Sequence, residues 1–100
     1  MKILIVDDHS IVRKGMVGIL SKEFNNPKIY QACDGMQAVQ MTKQNEFDVI
    51  MLDIMMPNMN GIEALKRMRK QGVNAPILEK RVRVQIYLAL TLLGFCFAKV

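Results

Sequence analysis

The residues of this chain best placed to do chemistry are three aspartates that close apolar runs. Asp7 and Asp8 follow Ile3-Leu4-Ile5-Val6, and Asp53 follows Phe47-Asp48-Val49-Ile50-Met51-Leu52. If the two runs are neighbouring strands, the three carboxylates converge on one crevice, where like charges repel. A hard divalent cation removes that conflict, because Mg²⁺ takes a few carboxylate oxygens, a carbonyl and retained waters. Carboxylates gathered around such an ion suit phosphoryl chemistry. Taken singly, each aspartate reads as the beginning of a helix cap; three at matching strand ends read as a site. Nothing else competes. His9 is the single histidine, and its place after Asp8 reads as a helix-start residue rather than a ligand or base. No serine has a His/Asp partner set, and neither GxxxxGK[ST] nor GxGxxG occurs.

The elements that must position these residues alternate from the first residue onwards. Lys2 to Val6 reads as a strand. From Ser10, expected to cap, a helical period places Val12, Met16, Ile19 and Leu20 on one face and Arg13, Lys14 and Lys22 on the other. Asn25-Asn26-Pro27 breaks it, and Ile29 to Cys33 reads as a second strand. Asp34 with Gln37 three residues on predicts a capping box for a helix through about Gln44. The run from Phe47 to Leu52 is nearly continuous apolar, as a strand buried on both faces must be. Ile54 to Gly61, with Pro57, reads as a loop, and Ile62, Leu65 and Met68 mark a helix that Gly72 stops. Ala75-Pro76-Ile77-Leu78 begins a fourth strand.

Strands alternating with helices at this spacing predict an α/β fold, a doubly wound parallel sheet with right-handed crossovers. In the order 2-1-3-4-5 the first and third strands adjoin at the switch point, and ligands bind beyond their carboxyl ends. A fifth strand is due near the chain end, so the last βα unit is expected to be incomplete.

Composition narrows the function classes. Of 100 residues, 51% are hydrophobic and 23% charged, as in one small folded domain. The net charge of +5 is uneven: residues 1–78 carry +2 and residues 79–100 carry +3. The first part lacks a basic stripe interleaved with aromatics, so direct DNA binding is not expected. Cys33 and Cys96 form no CxxC or Cys/His metal spacing, which suits reduced thiols in the cytoplasm. The apolar stretch Ile86 to Ala98 is 13 residues long, against roughly 20 for a spanning helix, so a membrane role is the minor reading.

I-L-I-V-D-D-H-S-I-V-R-K-G-M and D-V-I-M-L-D-I-M-M-P-N-M-N-G resemble the receiver domain of two-component response regulators, and D-D-H-x-x-V-R-x-G most resembles the NarL-type subfamily. The resemblance covers residues 1–78. It implies a flavodoxin-like fold and a phosphoacceptor signalling domain rather than an enzyme, with Asp53 phosphorylated by a histidine kinase. It also implies that Asp8 binds Mg²⁺ directly and Asp7 mainly through water. Asp53 completes the site, with the backbone carbonyl of Met55 on a loop shaped by Pro57 and Gly61.

The resemblance stops after residue 78. The family closes its fourth strand with Ser or Thr, and here that position falls near Arg81; no Ser or Thr lies closer than Thr91. Gly94 to Lys99 resembles the family's G-[FY]-x-x-K with one residue too many, which makes Lys99 the candidate for the lysine that pairs with the phosphoryl group. Residues 79–100 are thus expected to be a divergent apolar segment. Three readings of it stay open: an unrelated tail of the kind a frameshift or truncation produces, a helix covering the sheet, or a surface for self-association. The expected function is a receiver with impaired switching; the alternatives are a degenerate receiver used only for protein interaction, or a membrane-associated fragment.

Overall fold

A computed structural model describes residues 1–53, 56 and 59–79. Along the chain run β1 (Lys2–Val6), α1 (Ser10–Glu23), β2 (Lys28–Ala32), α2 (Gly35–Gln44), β3 (Val49–Leu52), α3 (Gly61–Lys70) and β4 (Ile77–Glu79). The strands form a parallel sheet in the order β2-β1-β3-β4, the doubly wound arrangement expected of the sequence. The fifth strand and the last βα unit lie outside the described residues.

The strands are apolar throughout because both faces of the sheet are covered. Ile3, Leu4, Ile5 and Val6 are all fully buried. Alternation divides them: Leu4, Val6, Ile50, Leu52 and Ile77 pack with Ala38, Val39, Ala64 and Met68 beneath α2 and α3. Ile3, Ile5, Val49, Met51 and Leu78 pack with Met16 and Leu20 of α1 on the other face. A slip of one residue in β1 would exchange the two sets, so double burial pins the register. That register aligns Val6 with both Ala32 and Leu52, and Leu52 with Glu79, so the strands end level.

The helix ends follow side-chain chemistry. Asp34 caps α2 by accepting from the Gln37 N–H at 2.8 Å, as expected, while the Gln37 side chain accepts from the Cys33 N–H, one residue before the cap. Asn60 caps α3 in the same way, accepting from the Glu63 N–H at 2.9 Å. Gly61 is therefore the first residue of α3 rather than part of the preceding loop. Gly72, at φ 91°, closes α3: its N–H donates to the Arg69 carbonyl and the Val73 N–H to the Met68 carbonyl, the paired bonds of a Schellman ending.

Three details differ from the sequence expectation. The cap of α1 is His9, not Ser10, and it makes no side-chain capping bond. Within α1 the buried stripe is Met16 and Leu20; Val12 continues it one turn earlier, past the strand ends, and is exposed. In α3 the buried positions are Gly61, Ala64 and Met68, because this helix lies close against α2, leaving Ile62 49% exposed.

The α2–α3 approach depends on Gly35. A Cβ there would stand 2.9 Å from the Met59 carbonyl oxygen and 3.1 Å from the Ala64 Cβ. Gly35→Ala is expected to cost about 1–3 kcal/mol, since backbone must move. Gly15→Ala, inside α1 with nothing within 4 Å, is expected to gain about 0.5–1 kcal/mol. Urea denaturation of the two variants checks the opposite signs.

Candidate functional site

Level strand ends put the residues that follow them side by side. The Asp7 N–H donates to the Ala32 carbonyl at 3.1 Å and the Asp53 N–H to the Val6 carbonyl at 3.0 Å, so both aspartates extend the ladder by one residue. Each is two positions past a residue of the α1 face (Ile5 and Met51), and alternation directs both side chains towards the start of α1. One carboxylate oxygen each from Asp7, Asp8 and Asp53, with a ring nitrogen of His9, lie within 4.8 Å of one another. The convergence expected of Asp7, Asp8 and Asp53 is present.

Burial differs across the cluster. The Asp7 side chain is 2% exposed and that of Asp8 26%. Asp7 Oδ1 accepts from the His9 N–H at 2.8 Å, an Asx turn that folds the chain back into α1. The same turn brings His9 Nδ1 to 3.0 Å from Asp7 Oδ1, where it is hydrogen-bonded, and to 3.0 Å from Asp8 Oδ1. The second approach is not aligned as a hydrogen bond: Asp8 Oδ1 is buried and has no hydrogen-bond partner. Arg13, expected to face outward, turns back from α1 and donates to the Asp7 carbonyl at 2.6 Å and to Gln31 Oε1 at 3.1 Å. It thereby ties the first turn of α1 to the end of β1.

An orphaned carboxylate oxygen beside two further carboxylates is costly without a cation. The donor set, mostly hard oxygen, fits a divalent ion such as Mg²⁺. Asp53 is half-buried and Asp8 is partly exposed at the carboxyl edge of the sheet. Met55, Pro57, Arg81 and Lys99 lie outside the described residues. A cleft of about 600 Å³ lined by Lys43, Phe47, Gly72 and Val73 sits at the opposite, amino edge, away from this chemistry.

His9 starts α1, as the sequence reading has it, but its ring also reaches Asp7 and Asp8, and Arg13 reads from the sequence only as an outward-facing residue. The available signal was the Asp-x-His spacing, which permits an Asx turn and returns the ring onto its own aspartates.

The family model of the response regulator receiver domain matches residues 3–80. This chain belongs to that family. It is 34% identical over 77 residues to the nitrate/nitrite response regulator protein NarP of Escherichia coli, covering 77% of this chain and 36% of NarP. It is 38% identical over 78 residues to the response regulator MprA of Mycobacterium avium, covering 78% of this chain and 33% of MprA. The chain thus spans about a third of the length of these curated relatives. The NarP match agrees with the NarL-type resemblance of the D-D-H start. The receiver domain of the hybrid histidine kinase CckA superposes with a TM-score of 0.77 at 22% identity, covering 96% of this chain and all of that one, which establishes the shared fold. Among the described residues no helix is long and apolar enough to cross a membrane.

Crowded carboxylates make a prediction for the metal-free receiver. Asp8→Asn, which removes one of three like charges, is expected to stabilise it by about 1–2 kcal/mol in the presence of a chelator. Urea denaturation with EDTA measures this; destabilisation would mean that Asp8 is held by favourable contacts.

Proposed function

We propose that this receiver is a phosphoacceptor in two-component signalling, taking a phosphoryl group from a histidine kinase onto the Asp53 carboxylate. The observation that carries the reading is the meeting of Asp7, Asp8 and Asp53 at the ends of adjacent strands. In this reading an Asp53 oxygen forms the bond to phosphorus while the P–N bond of a phosphohistidine breaks, and the released ring nitrogen regains a proton. Mg²⁺ would be held by Asp7, Asp8 and Asp53, with the Met55 backbone carbonyl, and would supply neutralisation of the charge on the phosphoryl oxygens in a loose transition state.

The chain's own residues position the reaction. The Asp53 backbone is fixed by its bond to Val6, so the nucleophile enters a prearranged site rather than searching for it. Asp7 is anchored through its carbonyl by Arg13 and through Oδ1 by the His9 N–H, which aims one carboxylate into the crevice. Asp8, less buried, keeps an oxygen available for a cation.

The same reading includes a weak switch. Where the family resemblance calls for a short hydroxyl, the chain has Arg81, whose long fork does not draw a strand inward as Ser or Thr would. Lys99 is the residue we assign to the phosphoryl-pairing role, one position out of the family's spacing. A ligand moves a two-state equilibrium only through contacts that differ between the states, and these two contacts are altered here. The apolar run of residues 86–98 is then proposed as a surface for self-association.

Two outcomes are expected. Acetyl phosphate with Mg²⁺ should add one phosphoryl mass in intact-mass spectrometry, absent in Asp53→Asn and slowed in Asp8→Ala; modification persisting in Asp53→Asn would remove that residue from its role. Sedimentation with and without beryllofluoride and Mg²⁺ should show an almost unchanged dimer content, and a clean analogue-driven switch to dimer would overturn the weak-switch proposal.

A further inference from the structure

We propose that Arg13 is a positioning residue: anchored by Gln31 on β2, it fixes the peptide between Asp7 and Asp8 and so sets where the Asp8 carboxylate stands. The inference rests on the reading of Asp7, Asp8 and Asp53 as a cation site and names what holds one member of it.

Arg13 lies in the first turn of α1, where its own N–H donates to the carbonyl of the cap residue His9 at 3.1 Å. Helical side chains lean towards the helix start, so this one leans back to the strand end that precedes α1. Its half-buried guanidinium donates through Nη1 to the Asp7 carbonyl at 2.6 Å and through Nε to Gln31 Oε1 at 3.1 Å. Gln31 pairs with Ile5, which packs on the α1 face, so parity places Gln31 on that face too. Gln31 belongs to β2, at the edge of the sheet. Arg13 therefore bridges from the edge strand to the end of the strand beside it.

The bridged atom is what matters. The Asp7 carbonyl belongs to the same rigid plane as the N–H and Cα of Asp8. Holding its oxygen therefore fixes the direction in which the chain enters Asp8. The other two aspartates are restrained independently. The Asp7 N–H donates to Ala32 and Asp7 Oδ1 accepts from the His9 N–H, while the Asp53 N–H donates to Val6. Asp8 Oδ1, in contrast, is buried and makes no hydrogen bond. Beyond its ion pair with His9, the direction of that carboxylate is left to the backbone.

Charge alone argues against a guanidinium at this place. Both of its bonds go to uncharged oxygens, a peptide carbonyl and an amide. A fixed cation beside the carboxylates opposes the entry of another cation. Orienting a carboxylate favours that entry. Loss of Arg13 thus acts on Mg²⁺ affinity with opposite signs through charge and through position, and a titration separates the two.

Isothermal titration of the full chain with Mg²⁺ in wild type, Arg13→Met and Gln31→Ala tests the inference. Arg13→Met is expected to weaken Mg²⁺ by about tenfold, the scale on which residues that orient ligands act. Gln31→Ala, at an exposed position, is expected to weaken it in the same direction and by less. In the metal-free protein the Asp8 amide resonance should shift or broaden in Arg13→Met, while that of Asp53 keeps its place. Affinity that is unchanged or tighter in folded Arg13→Met, or an unmoved Asp8 amide, overturns the role of Arg13. Unchanged affinity in Gln31→Ala overturns the anchor on β2 and, should Arg13→Met fail to fold, the inference as a whole. Wild type that binds no Mg²⁺ overturns the cation site and this inference with it. Phosphorylation that survives Asp53→Asn, in contrast, removes only the acceptor and leaves the role of Arg13 standing.

Discussion

Everything at the working edge of this receiver depends on the parallel pairing of β1 with β3. Ile3 to Val6 and Val49 to Leu52 are buried on both faces, and the pairing sets Val6 level with Leu52. Asp7 and Asp53 then have no freedom along the strand direction. Their distance apart is set by strand spacing, and their shared face by pleat parity. The hydrophobic core thus holds like charges together although they repel one another. A parallel sheet is well suited to this, because all its carboxyl ends fall on one edge and the crossovers leave that edge open.

The second constraint is local. Two residues after Asp7, the chain must leave the strand and begin α1. The Asx turn from Asp7 Oδ1 to the His9 N–H accomplishes this, and Arg13 closes the junction from the other side. One aspartate therefore serves the fold and the site at once. Its exposure of 2% reflects the first duty, and its carboxylate among the others reflects the second.

Much of this was legible beforehand. The apolar runs named the strands, and their uninterrupted character named the double burial of the sheet. From these followed the order of the strands and the convergence of Asp7, Asp8 and Asp53. The cap at Asp34 was readable because capping is local chemistry with a fixed spacing. His9 was not readable in the same way. Its part in the cluster depends on backbone dihedrals at a turn, which a count of residue types does not contain. Ile62 was misplaced for a related reason: periodicity identifies a stripe, but Gly35 and Ala64 decide how closely α3 approaches α2, and so which side of that stripe is covered.

The place of β1 in the sheet has a consequence for how the chain comes to be folded. β1 is made first yet sits between two neighbours, with Lys2 opposite Lys28 and Ile3 opposite Val49. During synthesis four consecutive apolar residues therefore wait, first for β2 and then for the more distant β3, with both hydrogen-bonding edges open. Closing such long loops precedes the contacts that reward it, so folding of this sheet is intrinsically slow. Until residue 52 has been added, the segment that later aligns the site is the stretch most exposed to pairing with another chain.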